Sequence, residues 1–360
     1  MDKNFWLQLK KPFFILAPMA DVTDMAFRQV IVEISKPDVL YTEFVSCDGL
    51  CGTNAEVSGT DAEKTRRRLG REKLLKHLKF GENERPIVAQ FFGSKPENFY
   101  TCAKLAVELG FDGIDINMGC PAGKIVKQDS GAGLILNPAL AQEIIRETKR
   151  GIIESLQARP VYRSGLLDCP VSVKTRIGYN TIETERWISQ LIEAQPVAIT
   201  IHGRTMKEMS KVPAHWDEIG KAAKLCHGAG ILCIGNGDVM SYAEGLEKAK
   251  QYNLDGIMVG RGIFHNPWFF SAEGGSSSGG NPIDKTPQEK IALLCRHVEL
   301  FTELWGATKQ FGKMKRFFKV YMTGFDGAKE LREQLMACNS ASEVYTVLGT
   351  YHSLLEKNII

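Results

Sequence analysis

Eight short runs of apolar and β-branched residues recur along the chain, each closed by glycine, proline or a polar residue. They are FFILAPM (13–19), VLYTEF (39–44), IVAQFFG (87–93), DGIDINMG (112–119), VSVKTRIG (171–178), AITIHGR (198–204), ILCIGNGDV (231–239) and GIMVGRGI (256–263). Most gaps between them carry helical spacing and helix-start signals, such as Thr23 opening TDMAFRQVIVEI, and Ser94 ahead of KPENFYTCAKLAVELG with Pro96 near the first turn. Near-continuous apolar strands that alternate with helices pair in parallel and are buried on both faces. Eight such units over about 250 residues predict an α/β fold of the (β/α)8 TIM-barrel type rather than an open doubly wound sheet. The gap between the second and third runs is longer than one helix needs, which predicts an inserted excursion there.

After WFF at 268–270 the composition changes to SAEGGSSSGGNPIDK, a flexible Gly/Ser-rich stretch. Thr286 and Pro287 then open a region in which KIALLCRHVELFTELW and EVYTVLGTYHSLLEK space their apolar residues three and four apart. The expected organisation is a barrel over residues 1–272, a linker at 273–285 and a small all-α domain at 286–360. The stretch QARPVYRSGLLDCP (157–170) ahead of the fifth strand is expected to be a loop insertion.

The nine cysteines (Cys47, Cys51, Cys102, Cys120, Cys169, Cys226, Cys233, Cys295 and Cys338) are odd in number, scattered, and contain no C-x-x-C pair. That pattern argues for a reducing compartment and against a zinc site or a disulfide framework. The N-terminus has no secretory apolar core, and no apolar run approaches the roughly 18–20 residues of a membrane span. A cytoplasmic protein is expected, without membrane or metal. The net charge of +3 is too small to announce a partner by itself.

In such a barrel the C-terminal ends of the strands carry the site. The residues closing the strands are Pro18 and Met19, Glu43, Gln90, Asn117 with Cys120, Lys174 with Arg176, His202 with Arg204, Asn236 to Asp238, and Gly260 with Arg261. The loops after the seventh and eighth strands have the character of a phosphate cradle. Gly235, Asn236 and Gly237 can turn backbone N–H groups inward, and Arg261 adds a planar charged fork. Lys174 and His202 close neighbouring strands beside it, a cation suited to stabilising an anionic reduced flavin ring, and Gln90 offers one donor and one acceptor for the ring's imide edge. Together these residues have the composition of an FMN site. A thiol at a strand end is more often a small buried hydrophobe than a reagent, so Cys120 has no assigned role on local grounds.

The segments APMADVTDMAFR (17–28), YTEFVS (41–46), VAQFFGS (88–94), DINMGCPAGKIVKQDSGAGLIL (115–136), SVKTRIG (172–178), IHGRT (201–205), IGNGDV (234–239) and MVGRGIFHNPWFF (258–270) resemble the tRNA-dihydrouridine synthases. The resemblance implies an FMN-dependent oxidoreductase that reduces the C5–C6 double bond of a tRNA uridine, with NADPH (or NADH) reducing the flavin, and a helical tRNA-binding C-terminal domain. Carried over by residue, Cys120 is the general acid that protonates C5, and Asn117, Lys174 and Arg176 contact the substrate. The flavin is expected at Pro18, Met19, Gln90, Lys174, His202, Asn236, Gly237, Asp238, Gly260 and Arg261. The chain departs from the family after HGRT, where Met206 and Ser210 stand in place of a frequent arginine and tyrosine.

Two basic clusters bear on a nucleic-acid partner. KTRRRLGREKLLKHLK (64–79) has the pattern of a solvated helical face. KQFGKMKRFFKVY (309–321) interleaves Lys313, Lys315, Arg316 and Lys319 with aromatics that could fill a helical core while the cations face outward. The second is the expected tRNA surface, on a monomeric protein. A flavin barrel acting on a small metabolite, of the dihydroorotate dehydrogenase kind, and a non-catalytic tRNA-binding paralogue are the alternatives. The first would not need the basic appendage, and the second would lack the flavin contacts or Cys120.

Overall fold

A computed structural model describes residues 4–52, 60–158, 169–271 and 285–356. Among these residues nine strands form one sheet in which every pairing is parallel. They are β1 (Phe13–Leu16), β2 (Leu40–Tyr41), β3 (Val45–Ser46), β4 (Ile87–Phe92), β5 (Gly113–Met118), β6 (Val171–Arg176), β7 (Ala198–His202), β8 (Leu232–Asn236) and β9 (Gly256–Val259). The order is β1-β9-β8-β7-β6-β5-β4-β2, with β3 a two-residue continuation of the second run that also pairs with β4. A parallel bridge from Ile15 to Val39 closes the ring. All eight expected strands are present, and the fold is the expected (β/α)8 barrel.

Because strand side chains alternate between faces, each strand offers one row to the inside of the ring. Ile15, Tyr41, Val88, Ala198, Ile234 and Met258 belong to that inner row and pack as one cluster with Trp6 and Phe13. Their neighbours Phe14, Leu40, Ala89, Ile116, Val173, Ile199, Cys233 and Ile257 belong to the outer core beneath the helices. The turn Phe5–Gln8 plugs the N-terminal end of the barrel. Trp6 is fully buried there, stacked on Phe5 at 4.8 Å and against Phe13 at 5.7 Å. This plug has no periodic signature in the sequence.

The helix Met25–Ser35 starts one residue later than its sequence signal. Asp24 caps it by accepting from Phe27 N, because the Thr23 hydroxyl is engaged by the Met19 N–H at 2.9 Å. The expected excursion is also present, as the short helix Cys47–Cys51 and the long helix Asp61–His77 between β3 and β4. The Gly/Ser stretch and the 157–170 insertion lie outside the described residues except at their ends.

Thr286 and Glu289 form a capping box that opens the helix Pro287–Trp305, followed by Lys315–Tyr321, Ala328–Ala337 and Ala341–Glu356. Phe317, Phe318 and Tyr321 are buried, and Phe27 of the barrel stacks on Phe317 at 5.2 Å. One buried carboxylate of the barrel takes two groups of this segment. Asp24 Oδ2 accepts from Trp305 Nε1 at 2.7 Å and from Lys309 Nζ at 3.1 Å, with Asp24 3% and Lys309 7% exposed. Asp24→Ala would remove a helix cap and leave the buried Lys309 ammonium with only the more distant Asp21 carboxylate, at 3.7 Å. A loss of about 3–5 kcal/mol is expected in denaturant titrations, and a loss below about 1 kcal/mol would show that Lys309 escapes to water.

Candidate active site at the C-terminal rim of the barrel

A cavity of about 570 Å³ opens at the C-terminal ends of β1, β6, β7, β8 and β9, a volume typical of small-molecule sites. It gathers ten of the residues expected from the sequence: Pro18, Met19, Lys174, Arg176, His202, Asn236, Gly237, Asp238, Gly260 and Arg261. Arg204, Ser210, Met240 and His265 also line it. The register explains the convergence, since Arg176 pairs with His202 and His202 with Asn236 across β6, β7 and β8.

Gly237 sits at φ +139°, where a Cβ would come within 2.7 Å of Ala214. At Gly260 a Cβ would instead stand 3.8 Å from Ala17 and 3.9 Å from the Met19 sulfur, both on the cavity wall. The first glycine is required by the backbone, and the second leaves room that a side chain would fill.

Gln90, Asn117 and Cys120 stand beside the cavity rather than on its lining. Gln90 Nε2 donates to Asp115 Oδ2 at 2.7 Å, and its Oε1 accepts from Asn117 Nδ2 at 3.0 Å. Asn117 Oδ1 in turn accepts from Gly119 N at 3.1 Å and Cys120 N at 2.9 Å. Both amides are therefore spent on holding the turn that carries the thiol. Arg176 braces the same turn from the cavity side, donating through Nε to the Gly119 carbonyl at 2.7 Å and through Nη1 to the Thr205 and Met209 carbonyls. It thus joins the Cys120 turn to the loop of Met206 and Ser210, where the sequence departs from the family.

Arg204, which the sequence shows only as a strand-closing residue, organises the other side. It pairs with Asp238 through Nη2, donates to the Val212 carbonyl at 2.6 Å, and its Nη1 meets His202 Nε2 at 3.1 Å. An arginine can only donate, so Nε2 accepts and the imidazole proton resides on Nδ1. Asp238 also accepts from Arg261 Nη2 at 2.8 Å, and Lys174 Nζ donates to Asn236 Oδ1 at 3.2 Å.

The charges are unbalanced toward the positive. Burial pushes Lys174 down to about 8 and Arg176 down to about 10, each repelled further by a neighbouring cation. Burial, then Arg176, Lys174 and Arg204, hold His202 well below its ordinary range, so the ring is neutral. Burial also pushes the Cys120 thiol up, against the downward pull of the Ala122 N–H, Arg176 and Lys174. Burial would raise the Asp238 carboxyl, but Arg204, the Ala214 N–H and Arg261 outweigh it and hold it low. Deeper in the barrel, burial lifts Asp115 to about 6 despite its bonds from Ser172 and Gln90.

The cations expected to meet nucleic acid lie on the C-terminal segment. Lys313 Nζ donates to Asp21 Oδ2 at 2.8 Å, and Arg316 approaches the same oxygen at 4.0 Å. Lys315 donates to the Met336 carbonyl at 2.8 Å, and Lys319 is exposed. Among the described residues no helix is long and apolar enough to cross a membrane, and no group of three or more His, Cys, Asp or Glu could hold a metal ion.

The family model for dihydrouridine synthase (Dus) matches residues 15–356. The chain belongs to the dihydrouridine synthase family. Membership makes it an oxidoreductase. It is 40% identical over 363 residues to a probable tRNA-dihydrouridine synthase of Staphylococcus aureus (strain COL), covering 100% of this chain and 99% of the other. A probable tRNA-dihydrouridine synthase 2 of Bacillus subtilis (strain 168) is 40% identical over 356 residues, 98% of this chain and 97% of its own. A solved structure, of a variant of NCR from Zymomonas mobilis, covers 74% of this chain and 94% of its own at 14% identity and a TM-score of 0.40.

The depressed Lys174 gives this chain a signed pH dependence. The unfolded chain binds the lysine proton up to its ordinary pKa near about 10.4, whereas the folded ligand-free protein releases it near about 8. Between those values the unfolded state holds more protons, so this group adds stability as pH rises and withholds it below about 8. Denaturant titrations of ligand-free wild type and Lys174→Met at pH 7 and pH 9.5 are expected to show a stability difference that shifts toward wild type at the higher pH. A constant difference would mean that Lys174 keeps its ordinary pKa.

Proposed function

We propose that this chain is an FMN-dependent tRNA-dihydrouridine synthase that reduces the C5–C6 double bond of a tRNA uridine. The observation that carries this reading is a half-buried thiol on the turn after β5, beside two cations of the cavity wall, Lys174 and Arg176. The residues present suit a flavin mononucleotide. Gly260 leaves a recess at the wall, Gly237 allows close backbone approach, and Arg261 and Arg204 bring positive charge for a phosphate. Pro18, Met19, Lys174, His202, Asn236, Gly237, Asp238, Gly260 and Arg261 would hold it, with Gln90 acting from beneath through Asn117. Bound there, FMN would supply the hydride for C6, with NADPH or NADH as its reductant.

Cys120 Sγ gives its proton to C5. Burial keeps that proton in place before the reaction, and Lys174, Arg176 and the Ala122 N–H stabilise the thiolate left behind. Arg176 has Nε and Nη1 tied to protein carbonyls, so Nη2 is the donor it can offer to the uracil edge. Asn117 works by fixing the Cys120 turn. In this reading residues 1–272 are the catalytic barrel, 273–285 the linker and 286–360 a tRNA-binding domain, with Lys313, Lys315, Arg316 and Lys319 toward the nucleic acid. The 40% identity over whole chains to probable tRNA-dihydrouridine synthases supports the substrate.

Incubation of the purified protein with unmodified tRNA and NADPH, followed by digestion and mass spectrometry, is expected to yield dihydrouridine. Its absence while flavin is bound and NADPH is consumed would favour a small-metabolite substrate. Cys120→Ala is expected to retain flavin and tRNA affinity while slowing uridine reduction by roughly 10²-fold or more, and near-normal turnover would remove the thiol from the mechanism. Arg261→Ala is expected to lower the flavin content of the isolated protein. Unchanged content would assign the phosphate to the backbone amides and Arg204.

A further inference from the structure

The helix Asp61–His77 carries seven lysines and arginines against three acids, and none of its residues is buried. A helix polar on all sides is stable when many opposite charges pair along it, or when it bridges to something else. Along this helix, opposite pairing is scarce. Among the described residues one internal ion pair occurs, Arg68 with Glu72 at 3.8 Å and largely exposed. Lys64 instead faces Arg67 and Arg68 at three and four residues, and Arg71 faces the same two arginines. Like charges at that spacing repel. Among the described residues two guanidinium nitrogens screened from solvent, Arg67 Nη1 and Arg71 Nε, have no hydrogen-bond partner.

The helix is anchored at the rim that holds the cavity. His77 Nδ1 meets Glu43 Oε2 at 2.6 Å just beyond β2, and its ring lies 4.9 Å from Trp305. Lys76 Nζ donates to Thr308 Oγ1 at 2.9 Å, joining the helix to the C-terminal segment. That segment's own cations are largely engaged: Lys313 and Arg316 by Asp21, Lys309 by Asp24 and Lys315 by a carbonyl. Much of the positive charge that no carboxylate matches at this rim is on the excursion helix, with Lys319 exposed on the C-terminal segment.

We infer that the helix Asp61–His77 grips the phosphate backbone of the RNA substrate. The inference rests on the tRNA reading above and adds to it a surface outside the C-terminal segment. A polyanion is the partner that relieves the helix's own repulsion. Contact with phosphates needs no base readout, which suits a helix that exposes Lys64, Arg66, Arg68 and Lys73.

The test replaces the exposed cations in the full chain, Lys64→Gln, Arg66→Gln, Arg68→Gln and Lys73→Gln together, and measures binding of an unmodified tRNA transcript across a salt series. Affinity at low salt is expected to fall at least about tenfold, and the slope of log K against log salt to flatten by roughly three, the share of four lost phosphate contacts. Flavin content and thermal melting report that the fold is intact. Independently of any variant, bound tRNA is expected to protect Lys64 and Lys73 of the wild-type protein from acetylation. Wild-type affinity and slope in the variant, or undiminished acetylation in the complex, would overturn the inference. If the wild type still makes dihydrouridine, the catalytic reading survives that result. A wild type that neither binds nor modifies tRNA removes both.

Discussion

In a closed parallel barrel each strand has one row of side chains pointing inward, and the bridge between Ile15 and Val39 that closes this ring fixes which row that is. The inner row is graded by height. Trp6, Phe13, Val39, Val88, Ala198 and Leu232 close the N-terminal end with apolar surface. Gln90, Asp115, Ser172 and Thr200 are fully buried above them and form a polar layer. Lys174, Arg176, His202 and Asn236 follow on the same rows at the mouth. A slip of one residue in any pairing would exchange these side chains for the apolar outer row. The composition of the cavity is thus a consequence of sheet closure before it is a matter of chemistry.

That grading sets the electrostatics. The cations at the mouth stand over a fully buried floor, and among the described residues Asp238 is the one carboxylate lining the cavity. Such a site keeps a neighbouring imidazole neutral, lowers a buried lysine and favours any anion that enters. Cys120 lies at the edge of this field. Burial holds its proton, while the nearby charges stabilise the thiolate that would follow proton loss. A proton donor needs both properties, and they come from different causes here: the first from the packing of the Cys120 turn against Gly131, whose φ of +57° leaves no room for a Cβ beside the Cys120 carbonyl, and the second from β6.

The strand alternation, the residues at the strand ends and the helical C-terminal segment are legible in the sequence because each depends on local periodicity. What escapes it depends on partners distant in the chain. Gln90 reads as a free amide for a flavin, yet its register opposite Asp115 and the reach of Asn117 consume both of its ends. Arg204 follows His202 by two residues, and its position among His202, Asp238 and the Val212 carbonyl is set by the β7–β8 pairing and the loop beyond. Thr23 and Asp24 are equally good caps on paper. Tertiary context decides between them by giving the Thr23 hydroxyl to Met19. Trp6 belongs to no periodic segment, so nothing local marks it as the barrel's plug.

The loop between β1 and the helix Met25–Ser35 ties the cavity to the C-terminal segment. Pro18 and Met19 line the cavity, while Asp21 and Asp24 of the same loop take Lys313, Lys309 and the Trp305 indole. Asp21 also donates its backbone N–H to Glu43, which holds His77 at the end of the basic excursion helix. Lys309 is buried with its ammonium 4.5 Å from the Trp305 ring centre, and its charge is compensated by Asp24 at 3.1 Å and Asp21 at 3.7 Å. Buried ion pairs of this kind contribute more to fixing one geometry than to net stability. The C-terminal helices therefore serve as a brace for the cavity wall. A change that loosened their docking would move Met19 as well as the cations, so a defect in nucleic-acid affinity and a defect in the cavity would arrive together.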